Sequence, residues 1–460
     1  MNPTPLFPAD FTWGAASAAY QIEGFSTADG RGESVWEMFC RQPGRVFENA
    51  DGSNASGFYR RYPEDVRLMR ELGLKGFRLS VAWPRIFPDG TGAINRAGLD
   101  FYDRVVDELL AAGIEPWVTL FHWDYPQALY HRGGWLHEDS PRWFADYTKV
   151  VVERLSDRVT HWMTLNEPQC FIGIGHIEGV QAPGQRLGLT EGLRAGHHAL
   201  LAHGLGVQAI RAAAKKPAKV GCANACNGIH PATDSAADIA AARTAFADVS
   251  AEGPLWNNTW WADPILLGRY PEEGLRAYGA TAPRAKPGDF ETMCQPLDFF
   301  GVNLYNSKAW RAGANGKPEP VAPVLARPLT HNLWDLSPEG ARWVPRFLHE
   351  RYGLPVVITE NGVCNLDWRS RDGRVRDPQR IDYTARYLEA LAQAVADGVP
   401  VHGYFHWAFL DTFEWEQGYK LRMGLVHVDH SDGGRRTPKE SFHWYKEVIA
   451  SRGASLAAGM

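Results

Sequence analysis

A chain of 460 residues with 45% hydrophobic and 22% charged residues has the make-up of a globular protein with a substantial core. Its net charge of −5 is mild, and no basic stripe or polybasic block is present, which excludes the usual footprint of a nucleic-acid partner. No run of about 18 apolar residues occurs, so neither a membrane-spanning helix nor a membrane partner is expected.

The opening stretch MNPTPLFPADFTWG has no long apolar segment and no Lys or Arg. It does not read as a signal peptide, and the expected compartment is the cytoplasm. Six cysteines (Cys40, Cys170, Cys222, Cys226, Cys294 and Cys364) are too scattered for a disulfide framework. Cys222 and Cys226 lack a matching ligand pair and read as small residues on one strand face. No metal and no other cofactor is expected. The 18 Trp, 16 Tyr and 21 Phe are many, and their places along the chain decide whether they fill a core or line a site.

In chain order, strand-like and helix-like segments alternate. Strands are predicted over 11–16, 76–83, 114–122, 160–166, 219–226, 297–305, 355–360 and 400–407. The clearest helix, RAGLDFYDRVVDELLA, puts Leu99, Tyr102, Val105, Val106, Leu109 and Leu110 on one face. Gly113 ends it and the β-rich run IEPWVTLFHW follows. The same punctuation recurs in RELGL, HERYGLP and AVADGVP, where Gly supplies a left-handed helix cap. Runs apolar on both faces are what buried parallel strands look like. The stretch AGANGKPEPVAP, 312–323, reads as a surface loop. No linker or short repeat divides the chain, so residues 1–460 are read as one domain. Eight strand–helix units predict an α/β fold, a closed (β/α)8 TIM barrel with long insertions in its βα-loops. The competing open doubly wound sheet has no GxGxxG or GxxxxGK[ST] after its first strand, which weakens its nucleotide-binding form.

In such a barrel the chemistry sits where the strands end. Those ends offer Arg78, His122 with Trp123, Asn166 with Glu167, Asn303 with Tyr305, Glu360 with Asn361, and His406 with Trp407. Each run is apolar until its last residues. Glu167 and Glu360 close the fourth and seventh strands, and paired carboxylates are what hydrolysis of a glycosidic bond requires. One protonates the leaving oxygen, while the other attacks the anomeric carbon or activates water. Tryptophans that stack on sugar C–H faces, and amides that bind hydroxyls, fit the same chemistry.

Seven motifs carry a resemblance: FTWGAASAAYQIEG, GFRLSVAWPRIFP, TLFHWDYPQAL, TLNEP, DFFGVNLY, VVITENG and LDTFEWEQGY. In this order, from residue 11 to about 425, they are similar to those of family 1 glycoside hydrolases of the β-glucosidase type. The resemblance implies a retaining β-glycosidase, with Glu167 as acid/base and Glu360 as nucleophile. The two carboxyl groups are then expected about 5–5.5 Å apart. The charge on Glu360 is expected to raise the pKa of Glu167, and Arg78 to keep Glu360 ionised. Carried over in the same way, Gln21, His122, Asn166, Glu414 and Trp415 bind the sugar, with Trp123 beside His122. Trp407 is its stacking platform, followed by a cis peptide at Ala408. Asn303 and Tyr305 support the nucleophile, with Tyr305 donating to Glu360. Trp334 receives the leaving group.

The chain departs from the family pattern in places. ASGF, 55–58, replaces an Asp-His pair at Gly57 and Phe58, a change read as structural. Gln169 replaces an aromatic after NEP, which bears on the leaving group. His406, Thr412 and Leu304 are also unusual. The implied substrate is a small β-glycoside or short β-linked oligosaccharide with a terminal glucosyl, galactosyl or fucosyl unit. Glucose against galactose or fucose, the natural leaving group and the oligomeric state stay unassigned. Three alternatives compete. A 6-phospho-β-glycosidase would carry Ser where Glu414 stands, and Lys and Tyr near Leu421 and Met423, so an acidic Glu414 repels its phosphate. A non-catalytic sugar-binding relative would have lost one of the two glutamates. A transglycosylating enzyme would pass the same intermediate to a sugar or alcohol.

Overall fold

The computed structural model describes residues 4–250 and 255–459. Eight parallel strands close into a barrel: β1 Thr12–Ala16, β2 Gly76–Ser80, β3 Glu115–Phe121, β4 His161–Asn166, β5 Lys219–Ala225, β6 Phe299–Asn303, β7 Val356–Asn361 and β8 Val401–Trp407. They follow one another around the ring, and β1 closes it by pairing with both β2 and β8. Helices such as Arg96–Ala111, Ser140–Leu155 and Pro378–Ala396 return the chain along the outside. Each turns an apolar face to the strands, and the hydrogen-bonded ring leaves no open sheet edge.

The interior is a packed core rather than a pore. Trp117, Met163, Phe299, Val357 and Phe405 fill it. Phe299 and Phe405 lie 5.4 and 5.0 Å from Trp117, ring centre to ring centre. Two glycines make room for these rings. A Cβ on Gly14 would sit 2.3 Å from Phe405, and one on Gly221 2.3 Å from Phe299. A second apolar layer, running from Phe7 to Leu456, packs helices against strands.

The eight strands expected from the sequence are the eight strands of the barrel. The four glycines expected to end helices, Gly73, Gly113, Gly353 and Gly398, all take positive φ. Two boundaries differ. The second strand stops at Ser80 because Ala82 and Pro84 open a helical turn, Trp83–Ile86. The stretch 312–323 is not all loop, since Pro318–Pro320 pairs antiparallel with Lys308–Ala312 and extends a small sheet with Ile229–Pro231. Its prolines hid that strand, yet an edge position tolerates proline. A ribbon of Val426–Asp429 and Arg435–Pro438 follows β8. Among the described residues no helix is long and apolar enough to cross a membrane.

Candidate active site

Arg78 stands in β2, two residues before its end, with 0% exposure, and four hydrogen bonds hold its side chain. Nε donates to Thr119 Oγ1 at 3.1 Å and Nη1 to Glu360 Oε1 at 2.5 Å and the Thr359 carbonyl at 3.1 Å. Nη2 donates to Asn166 Oδ1 at 2.5 Å. A planar guanidinium thus links the ends of β2, β3, β4 and β7. Asn166 passes the link on. Its Oδ1 also accepts from Asn303 Nδ2 at 3.0 Å, and its Nδ2 faces His122 Nε2 at 3.1 Å. Arg78 fixes which end of the Asn166 amide is oxygen, so His122 Nε2 accepts and its proton is on Nδ1. Burial and Arg78 hold His122 well below the usual histidine range, keeping it neutral.

The two glutamates face one another in this frame, and their partners differ. Glu360 receives Arg78 and, at 2.7 Å, the hydroxyl of Tyr305. Among the described residues no cation is bonded to Glu167. Asn303 Nδ2 donates to its Oε1 at 2.8 Å and Cys170 Sγ to its Oε2 at 3.2 Å. Burial raises the pKa of both. For Glu360 the guanidinium and the Tyr305 hydroxyl oppose that rise, whereas for Glu167 the charge of Glu360 adds to it. The pair therefore shares its charge unequally, with the proton on Glu167. The charge of Glu360 is the cause expected from the sequence. Burial is the larger cause, because a carboxylate shut between strand ends loses its water before it meets a neighbour.

The loop after β8 brings the remaining sugar-facing candidates. Asp411 anchors it from below: the carboxylate pairs with Lys439 at 2.7 Å and accepts from the Gly424 and Val428 amides. Glu414 is buried above, accepting from Gln21 Nε2 at 3.2 Å and Thr412 Oγ1 at 3.0 Å. Burial pushes its pKa up to about 8. Trp415 lies between Trp36 and Trp123, with ring centres 4.5 and 4.6 Å away, and His122 stacks on Trp407 at 5.6 Å. The peptide between Trp407 and Ala408 is cis. Glu167, Trp123 and Trp415 all hold positive φ (48°, 82° and 50°), a conformation disfavoured for residues with a Cβ. Strain of this kind gathers where a fold must aim a side chain. A cavity of ≈ 700 Å³ opens above Glu167, Glu360, His122, Trp407 and Glu414, with Trp256, Leu333 and Trp334 at its mouth.

The family model described as "Glycosyl hydrolase family 1" matches residues 4–454. The chain belongs to glycosyl hydrolase family 1. It is 40% identical over 454 residues to β-glucosidase A of Thermotoga maritima, covering 97% of this chain and 98% of that one. It is 38% identical over 480 residues to the aryl-phospho-β-D-glucosidase BglC of Bacillus subtilis, covering 98% of each. Among solved structures, the T. maritima β-glucosidase in complex with glucoimidazole superposes with a TM-score of 0.88 at 40% identity, covering 97% of this chain and 99% of that one. The chain is therefore a hydrolase of O-glycosyl bonds, of a family that retains anomeric configuration.

In this family 1 hydrolase the structure brings Glu167, Glu360, Arg78, Asn166, His122, Asn303 and Tyr305 into one hydrogen-bonded set. Glu414, Trp407, Trp415 and Trp123 form its other wall, with Gln21 buried and bonded to Glu414. Trp334 stands apart at the mouth, 36% exposed, with its ring 5.3 Å from that of Tyr305. Gln169 does not face the cavity. A π-type helix, Gln169–Glu178, starts directly after Pro168 and turns Gln169 toward β5, where Nε2 donates to the Ala225 carbonyl at 3.0 Å. Cys170 and Ile174, four residues apart on the helix, face the cavity instead. That i, i+4 pair was the available signal, and no element is assigned from the sequence to the residues after NEP. The unusual Thr412 has a use in holding Glu414. His406 is buried and neutral, with neither ring nitrogen hydrogen-bonded among the described residues. At the other departure Ser56 Oγ donates to the Asp411 carbonyl at 2.6 Å, while Gly57 takes φ 68° and Phe58 is buried against Phe77. Cys226, expected on a strand face, stands one residue past β5 on the cavity wall, whereas Cys222 is buried within the strand.

Proposed function

We propose that this chain is a retaining β-glucosidase in which Glu360 is the nucleophile and Glu167 the acid/base. The observation that carries this reading is the asymmetry of two buried glutamates: one bound by Arg78 and Tyr305, the other, among the described residues, without a bonded cation. Ionised Glu360 attacks the anomeric carbon as Glu167 gives its proton to the leaving oxygen. The glycosyl ester has no charge on Glu360, so the repulsion that raised the pKa of Glu167 is gone. Glu167, now ionised, takes a proton from water, which attacks the ester and restores both groups. Gln21, His122, Asn166 and Glu414 are the polar partners for a sugar's hydroxyls. Trp407, Trp415 and Trp123 supply apolar faces, and Trp334 meets the leaving group.

Hydrolysis of an aryl β-glucoside followed by NMR tests this reading. The first-formed sugar is expected to be the β-anomer, and α-glucose as first product would overturn it. Glu414 also separates this reading from a phospho-glycosidase, though by its place and bonds rather than by the charge expected from the sequence, because burial raises its pKa to about 8. It is held by Gln21 and Thr412, and the nearby cation Lys420 lies 4.9 Å over the Phe47 ring. Turnover confined to the 6-phosphate of the glucoside would reverse the assignment. We also infer action in the cytoplasm, a reading supported by six free cysteines. Fractionation of source cells checks it.

A further inference from the structure

A carboxylic acid has two oxygens and one transferable proton, and the surroundings of Glu167 tell them apart. Arg78 has only donors, and its Nη2 meets Asn166 Oδ1 at 2.5 Å, which orients that amide. Asn303 Nδ2 approaches the same Oδ1 at 3.0 Å, and Thr359 Oγ1 donates to Asn303 Oδ1 at 2.6 Å, which orients the second amide. The Asn303 NH2 therefore donates to Glu167 Oε1 at 2.8 Å. An acid accepts best at its carbonyl oxygen, so Oε1 is the acceptor in both protonation states. The other oxygen, Oε2, meets the thiol of Cys170 at 3.2 Å. We propose that the transferable proton of Glu167 is carried on Oε2, and that Cys170 is a positioning residue that aims this oxygen at the leaving group.

This inference rests on Glu167 being the acid/base. Its physical basis is the weakness of sulfur as a hydrogen-bonding atom. The S–H steadies Oε2 when Glu167 is ionised. When Oε2 is protonated, sulfur is too poor an acceptor to keep that proton from the leaving oxygen. Backbone geometry holds the thiol in place. The Cys170 amide donates to the Glu167 carbonyl at 2.9 Å, while the Glu167 amide donates to the Ala223 carbonyl at 2.8 Å. The charged and titratable groups around the pair are Glu360 and Tyr305 across the cavity, Arg78 below and Glu416 on the loop after β8. Burial and the acidic neighbours hold Cys170 well above the usual thiol range, so it remains a donor.

The test compares wild type, Cys170→Ala and Cys170→Ser on two β-glucosides. One has a 2,4-dinitrophenyl leaving group, which departs without acid assistance. The other has an alkyl leaving group, which needs a proton. Cys170→Ala is expected to lose roughly 3- to 10-fold in kcat/KM on the alkyl glucoside. On the dinitrophenyl glucoside it should change by less than about twofold, which also reports a folded enzyme. The basic limb of the alkyl profile should move to higher pH, because a donor to the ionised carboxylate has gone. Cys170→Ser keeps a donor and should restore both the rate and the limb. Equal losses on both substrates would make Cys170 a packing residue and overturn the proposal, as would unchanged alkyl turnover with an unmoved limb. Glu167→Gln separates this from the reading beneath it. If it spares only the dinitrophenyl glucoside, Glu167 stands as the acid whatever Cys170 does. If it hydrolyses the alkyl glucoside like wild type, the assignment of Glu167 itself fails.

Discussion

The floor of the cavity and its mouth are built in opposite ways. On the floor Arg78, Asn166, Asn303, His122 and Glu360 are each at most 3% exposed, and hydrogen bonds among them leave each side chain one orientation. At the mouth Trp256, Trp334 and Leu333 are 39%, 36% and 76% exposed, and apolar faces rather than hydrogen bonds meet the cavity. Buried polar groups require partners, so a floor that must hold charge is over-determined. A surface that must admit varied leaving groups has no such need. On the proposed function, the contrast divides catalysis in two: bond cleavage falls to a rigid network, and choice of leaving group to loops that tolerate change.

Substitutions at the two ends should therefore differ in size and in kind. The largest effect is expected for Glu360→Ala, a loss of roughly 10⁴-fold or more in kcat on any aryl glucoside, because no other group on the floor can form the intermediate. Steady-state kinetics checks it. Next comes Glu167→Gln, with a loss of about 10²- to 10⁴-fold in kcat/KM on an alkyl glucoside and far less in kcat/KM on the dinitrophenyl one. At the mouth, Trp334→Ala should change kcat/KM by only about 2- to 10-fold. That change should appear for a disaccharide and vanish for a leaving group too small to reach the ring. A larger, leaving-group-independent loss there would break the contrast.

The smallest effect concerns stability. Glu414 has a folded pKa of about 8. Its unfolded value is about 4.3. The folded state therefore binds its proton more tightly, and stability falls as pH rises between those two values. Glu414→Gln removes the penalty while keeping an acceptor for Gln21 and Thr412. Its Tm should exceed that of wild type at pH 8 and converge with it near pH 4–5, while glucoside turnover drops. Thermal unfolding at the two pH values reads this out. A higher gain at low pH would contradict the burial argument.

What the sequence made legible follows the same division. Strands buried on both faces are apolar almost throughout, so the polar residues that end them stand out, and Arg78, Asn166, Glu167, Asn303 and Glu360 were found that way. Cys170 and Ile174 were hidden because their facing depends on a π-type helix whose start is set by Pro168 and by the Glu167 carbonyl. The same register took Gln169 out of the cavity. Trp256 gave no signal, since it comes from a loop with neither helical nor strand periodicity. Thr412 looked merely unusual, and its role needed the fold of the Asp411-anchored loop to bring its hydroxyl onto Glu414.

The most direct test of the two-glutamate account is to trap the intermediate. Incubation with a 2-deoxy-2-fluoro aryl β-glucoside slows both steps and allows the glycosyl-enzyme to accumulate for peptide mass spectrometry. The account predicts one added sugar per chain, located on the peptide that contains Glu360. An adduct on Glu167 or another residue, or an enzyme that turns over the natural glucoside yet never forms an adduct, would contradict it.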